Sequence, residues 1–145
     1  MIVYKKGDLL RTPDRVIIHG CNTRGAMGAG VALAIRERWP EVYKAYRYAC
    51  DINEVALGGF LPTETDCGKI VLNAITQANY GKGLQVSYPA IESALTQCQE
   101  WMEVQNYSEA SMPKIGAGYG GGSWEQIEKI VENVFKNQTI SIYYL

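Results

Sequence analysis

The sequence predicts an α/β fold, a sheet with helices packed on both faces, and three observations carry that expectation. Short apolar segments alternate along the chain with segments of helical periodicity. Two of the apolar segments, RVIIH (15–19) and KIVLNAI (69–75), are apolar on both faces, as strands covered on two sides must be. Two glycine-rich stretches, 20–30 and 116–122, each follow a strand and run into a helix.

Taken in order, residues 1–4 read as a short strand and 15–19 as a second. A loop over 20–30 follows, holding four glycines. From Val31 the apolar residues Val31, Ala34, Ile35 and Trp39 fall at helical spacing. Pro40 suits the first turn of a further helix over 41–50. Segments 59–62 and 69–75 are strands. The next helix, 88–104, places Ile91, Ala94, Leu95, Cys98, Trp101 and Met102 along one side. A strand over 109–115 feeds the second glycine stretch. Ser123 with Gln126 matches a capping box for a helix over 124–136, and 140–145 closes as a strand. Ligands of such sheets bind outside the carboxyl ends of the strands, so the two glycine stretches are expected to wall one cleft.

Composition narrows the class. A chain of 145 residues is the size of one compact domain, expected over 1–145, and can bury a core without staples. A net charge of -1 lacks the basic footprint of duplex binding. No apolar run reaches the roughly 20 residues of a membrane helix, and the opening MIVYKKGD has no secretory h-region. A cytoplasmic monomer is expected. Cys21, Cys50, Cys67 and Cys98 form no CxxC pair, and His19 is the one histidine, so neither a metal site nor a disulfide is expected. No cofactor is expected either.

A glycine stretch ahead of a helix brings backbone N–H groups close to a ligand. The helix N-terminus adds positive potential, roughly half an elementary charge. Two such stretches in one small chain point to a phosphate or pyrophosphate guest. No GKS or GKT follows either stretch, which excludes a P-loop, and GxGxxG does not follow the first strand.

The residues resemble those of macrodomains. His19-Gly20-Cys21-Asn22 with Gly25-Ala26-Met27-Gly28-Ala29-Gly30-Val31-Ala32 is similar to the family's first ligand loop. Met112-Pro113-Lys114-Ile115-Gly116-Ala117-Gly118 with Ser123-Trp124 is similar to the second. Gly7-Asp8-Leu9-Leu10 resembles the opening element. The resemblance covers essentially the whole chain and implies a three-layer α/β/α fold around a mixed sheet of about six strands. It also implies ADP-ribose as ligand. Asp8, beside Leu9, would accept a hydrogen bond from the adenine amino group, and Tyr143 would lie near the adenine. Asn22 would hold the distal ribose. Gly25, Met27, Gly28, Gly30 and Val31 would wrap that ribose and the diphosphate. Gly116, Ala117, Gly118, Tyr119 and Gly120 would cradle the phosphates. From the residues alone, Asp8 reads as a turn cap, Asn22 equally as a loop cap, and Tyr143 as a half-buried strand residue.

Within the family the resemblance is to the ADP-ribose-1''-phosphate phosphatases and the neighbouring terminal ADP-ribose glycohydrolases. The glycohydrolases carry a Lys where Gln77 stands, and an Asp in the second loop where Gly120 or its neighbours stand. Lys82 is a distant substitute. His19 matches a histidine implicated in the phosphatase chemistry, with Glu64 or Asp66 as acidic candidates. Cys21 as nucleophile is disfavoured, its side chain being expected on the strand face opposite His19. The expected function is hydrolysis of ADP-ribose-1''-phosphate to ADP-ribose and phosphate. The alternatives are a non-catalytic ADP-ribose reader and a hydrolase acting on an ADP-ribosylated macromolecule or O-acetyl-ADP-ribose.

Overall fold

A computed structural model describes residues 1–80, 85–118 and 120–145. The expectations for Lys82 and Tyr119 lie outside the described residues. Among the described residues the elements run β1 (Ile2–Lys6), a 3-10 turn (Leu9–Arg11), β2 (Val16–Asn22), α1 (Gly30–Arg38), α2 (Pro40–Asp51), β3 (Phe60–Glu64), β4 (Ile70–Gln77), α3 (Tyr88–Val104), β5 (Glu109–Met112), α4 (Trp124–Val134) and β6 (Thr139–Tyr144).

The strands form one mixed sheet in the order β1-β6-β5-β2-β4-β3. Every neighbouring pair is parallel except β3 with β4, which is antiparallel. Side chains alternate between two cores, as strand geometry requires. Val16 and Ile18 of β2, with Leu72 and Ala74 of β4, pack beneath Ile91, Leu95 and Met102 of α3 and Ile127 and Val131 of α4. Ile17 and Cys21, with Val71 and Ile75, pack on the other face against Ile35 of α1, Trp39 between the two helices, and Val42 and Tyr46 of α2. The result is the expected three layers. No helix among the described residues is long and apolar enough to cross a membrane.

Two strand ends and one helix cap differ from the sequence reading. β2 does not stop at His19: Gly20, Cys21 and Asn22 continue the ladder against Ala74, Ile75 and Gln77, with an irregularity after Cys21. The first loop therefore starts later than Gly20. β5 ends at Met112 rather than at residue 115, because Pro113 has no N–H to donate to a ladder. β3 carries Pro62 and is an edge strand, where a missing donor is tolerated. The capping box at α4 does not form: Ser123 provides no side-chain cap, and its N–H donates to the Tyr88 hydroxyl at 3.0 Å. Ser87 does cap, its Oγ accepting the Ala90 N–H at 3.2 Å to start α3.

The chain leaves β2 towards β4 and β3 on one side and returns through α3 to β5 on the other. This reversal of direction opens a crevice beyond the carboxyl ends of β2, β5 and β4.

Candidate functional site

A cavity of about 670 Å³ occupies that crevice. One wall is the first loop and the start of α1, with Asn22, Ala26, Gly28, Ala29, Gly30 and Val31. The other is the second loop, with Lys114, Ile115, Gly116, Gly118 and Gly120. His19, Gly20, Cys21, Thr76 and Gln77 form the floor at the strand ends, and Tyr80 stands at the rim. Among the described residues that line it, Lys114 is the one charged side chain.

The geometry of α1 suits an anion. Its N-cap, Ala29, has no side chain to satisfy the first helical N–H groups. Those orphan donors lie in the cavity wall at Gly30, Val31 and Ala32, where the helix dipole is also positive. A Cβ at Gly28 or Gly118 would meet nothing within 4 Å, so both loops leave their backbone open at these points.

Asn22 braces the first loop. Its Oδ1 accepts the N–H groups of Arg24 at 2.9 Å and Ala26 at 3.3 Å, while Nδ2 donates to Ala26 O at 3.0 Å. The Tyr46 hydroxyl, on α2, donates to Asn22 O at 2.5 Å and Oδ1 at 2.9 Å. Burial pushes the phenol's pKa up, so it remains a donor. The loop-cap reading of Asn22 is thus realised in the loop's own hydrogen bonds.

His19 is 1% exposed and lies on the cavity floor. Burial lowers its pKa from 6.5 to about 4, partly opposed by its hydrogen bond to Asn73. Its Nε2 lies 2.6 Å from Asn73 Oδ1, and Asn73 Nδ2 donates to Leu61 O at 3.0 Å. The Asn73 oxygen therefore faces the ring, Nε2 carries the hydrogen, and Nδ1 holds the free lone pair. Cys21 corrects the expectation of opposite faces. Residues two apart on a strand share a face, and Cys21 Sγ lies 3.5 Å from His19 Nε2. That nitrogen already donates to Asn73, while Nδ1, with its free lone pair, lies 3.9 Å from the same sulfur. Burial also holds the Cys21 pKa well above its ordinary value. Burial thus favours the protonated thiol beside the ring.

The remaining expected residues are less gathered. Met27 is buried in the core beneath α1 and α2, and Leu9 is buried in the same cluster. Gly25 packs on Arg47, and the Ala117 N–H donates to Lys114 O at 3.2 Å. Asp8 caps the 3-10 turn, its Oδ1 accepting the Leu10 N–H at 3.0 Å. Asp8 and Tyr143 stand at the carboxyl ends of β1 and β6, on the cavity's end of the sheet but outside its lining. Glu64 and Asp66 are ruled out as acidic partners of His19. Glu64 pairs with Ile70 at the start of β4, the opposite end of the sheet from Gln77.

Sequence reasoning gave no role to the lining residues Thr76, Tyr80 and Lys114, although Lys114 stands in the segment that resembles the second ligand loop. The one available signal was position, since polar residues closing an apolar strand stand at its carboxyl end. Gln77, which had been marked only as a replaced lysine, lines the cavity and donates from Nε2 to Asn79 O at 2.5 Å.

The Macro domain family model matches residues 18–131. The chain is 31% identical over 139 residues to a DNA ADP-ribosyl glycohydrolase of Mycobacterium tuberculosis, covering 94% of this chain but 39% of that protein. The chain thus spans about two fifths of that relative's length. It is 27% identical to an ADP-ribose 1''-phosphate phosphatase of Candida albicans, with 100% of both chains covered. Among solved structures, the macrodomain of Mycobacterium tuberculosis DarG superposes with a TM-score of 0.91 at 29% identity, covering 100% of this chain and 98% of that one.

Proposed function

This chain belongs to the Macro domain family, and from that premise we propose that it binds ADP-ribose and hydrolyses ADP-ribose-1''-phosphate to ADP-ribose and phosphate. The observation that carries the reading is the cavity itself. Uncapped N–H groups of α1 face an open glycine loop across about 670 Å³, with Lys114 adding positive charge and no carboxylate among the described lining residues to repel an anion. The similarity to a fungal phosphatase along the full length of both chains supports the choice of substrate.

In this reaction a water oxygen attacks phosphorus and the P–O1'' bond breaks. The proton released from water balances the one that ADP-ribose takes up at O1''. Charge spreads over the phosphoryl oxygens in the transition state, and fixed backbone donors stabilise it without reorganising. His19 is the proposed proton acceptor, through Nδ1. With a pKa of about 4 it is unprotonated through neutrality but weakly basic. Activity carried by it would therefore have its acid limb near pH 4, not near 6.5. The diphosphate lies along Gly28, Gly30, Gly116, Gly118 and Gly120 in this reading. Asp8 and Tyr143 face the adenine end, beyond the cavity proper.

The test is phosphate release from ADP-ribose-1''-phosphate by wild type and His19→Ala, with ADP-ribose binding measured by calorimetry alongside. Turnover lost in the variant while binding survives supports both the reaction and the role of His19. Binding without turnover in wild type makes the protein a reader. A glycohydrolase is the second reading, favoured by the 31% identity to the mycobacterial enzyme. Gln77 weighs against it, because an amide cannot titrate as a lysine does. Release of ADP-ribose from modified DNA by wild type, and not by Gln77→Ala, would reverse the preference.

A further inference from the structure

We propose that the Thr76 hydroxyl is a ligand-binding group of this cavity, one that hydrogen-bonds the terminal ribose or its phosphate. The inference rests on the ADP-ribose reading above and names a residue that neither the sequence nor that reading supplied.

Thr76 is the seventh residue of β4 and is 1% exposed, yet it lines the cavity. Its carbonyl is engaged, accepting the Ser87 N–H at 3.0 Å. Its side chain is not. Thr76 Oγ1 is one of three buried side-chain atoms, with Thr63 Oγ1 and Gln138 Oε1, that have no hydrogen-bond partner among the described residues. Of these three, Thr76 alone borders this cavity. A buried hydroxyl left unpaired is destabilising, and at the border of this cavity a bound ligand would supply the missing partner.

The hydroxyl sits at a tight point between neighbouring strands. A Cβ at Gly20 on the adjacent strand would lie 2.9 Å from Thr76 Oγ1 and 3.1 Å from Ile115 Cγ1. Any side chain at Gly20 would crowd the hydroxyl, which lies buried beside Gly20 and Ile115 at the cavity floor. Gln77 follows directly, and its Oε1 lies 3.1 Å from where a Cβ at Gly120 would stand. Two neutral polar groups therefore occupy the floor at the end of β4, where the glycohydrolases that the chain resembles place a lysine. A hydroxyl there donates to a phosphoryl oxygen and equally to a ribose hydroxyl.

The experiment compares wild type, Thr76→Val and Thr76→Ser in ADP-ribose affinity by calorimetry and in thermal unfolding without ligand. Valine keeps the shape and removes the hydroxyl. The expected result is an affinity about five- to tenfold weaker in Thr76→Val, an unfolding midpoint equal to or above wild type, and recovery of affinity in Thr76→Ser. An unchanged affinity in Thr76→Val overturns the proposal. So does a lowered midpoint in that variant, which would mean the hydroxyl's partner is the protein. Wild type that fails to bind ADP-ribose overturns the functional reading first and this proposal with it. Wild type that binds equally to Thr76→Val removes only the proposal.

Discussion

The two loops that wall the cavity are both rich in glycine, for different reasons. The first is held by side chains. Asn22 gathers its backbone, Tyr46 fixes Asn22 from α2, and Arg47 packs against Gly25. Its Gly28 has open space where a Cβ would be. The second is held by its own backbone and by close packing. Gly122 N–H donates to Gly116 O at 2.8 Å, and Gly120 O accepts from Gln85 N–H at 2.8 Å. A Cβ at Gly120 would lie 2.6 Å from Val86 Cγ1 and 2.7 Å from Gly116 O. Glycine in a ligand loop thus has two separable causes: access for a guest, as at Gly28 and Gly118, and want of room, as at Gly120 and Gly122.

The largest expected effect concerns the floor shared by both loops. Between pH 6.5 and about 4 the unfolded chain binds a proton at His19 that the folded chain refuses, because burial depresses the folded pKa. Stability from this source is full above pH 6.5 and is lost as pH falls towards 4, by about 3 kcal/mol. Urea unfolding at pH 7 and pH 4.5, for wild type and His19→Gln, measures it. A pH dependence that survives in the variant would place the effect elsewhere.

Next comes Gly120→Ala, which drives a methyl group into backbone and should cost about 2–3 kcal/mol in denaturant unfolding. Tyr46→Phe removes the brace of the first loop and should cost about 1–2 kcal/mol, with weaker ADP-ribose binding by calorimetry. The smallest stability effect belongs to Gly28→Ala, expected within about 0.5 kcal/mol of wild type. It should nevertheless weaken ADP-ribose binding, since the methyl group enters the cavity wall. If Gly28→Ala and Gly120→Ala destabilise equally, the distinction between access and packing fails.

Legibility followed the same division. The α3 segment was readable to its ends, because Ser87, Pro89 and a long apolar stripe are local signals. The end of β2 was not. Gly20 looks like the opening of a loop, and only its pairing with Ala74 makes it strand. Both glycine loops were visible as candidates for the site, whereas Thr76 and Lys114 are ordinary residues until neighbouring strands set them around one space. The proximity of His19 to Cys21 was within reach, since residues two apart on a strand share a face, but the role of Asn73, 54 positions away, was not.

By itself the sequence determined the alternation of strands and helices, the strands covered on both sides and the two backbone-rich loops. These depend on periodicity, β-branching and glycine content within a few residues. The tertiary structure decided which glycines are open, which hydroxyl lacks a partner and which tautomer His19 keeps. Each of these is set by atoms from distant segments: Val86 against Gly120, Gly20 beside Thr76, and Asn73 under His19.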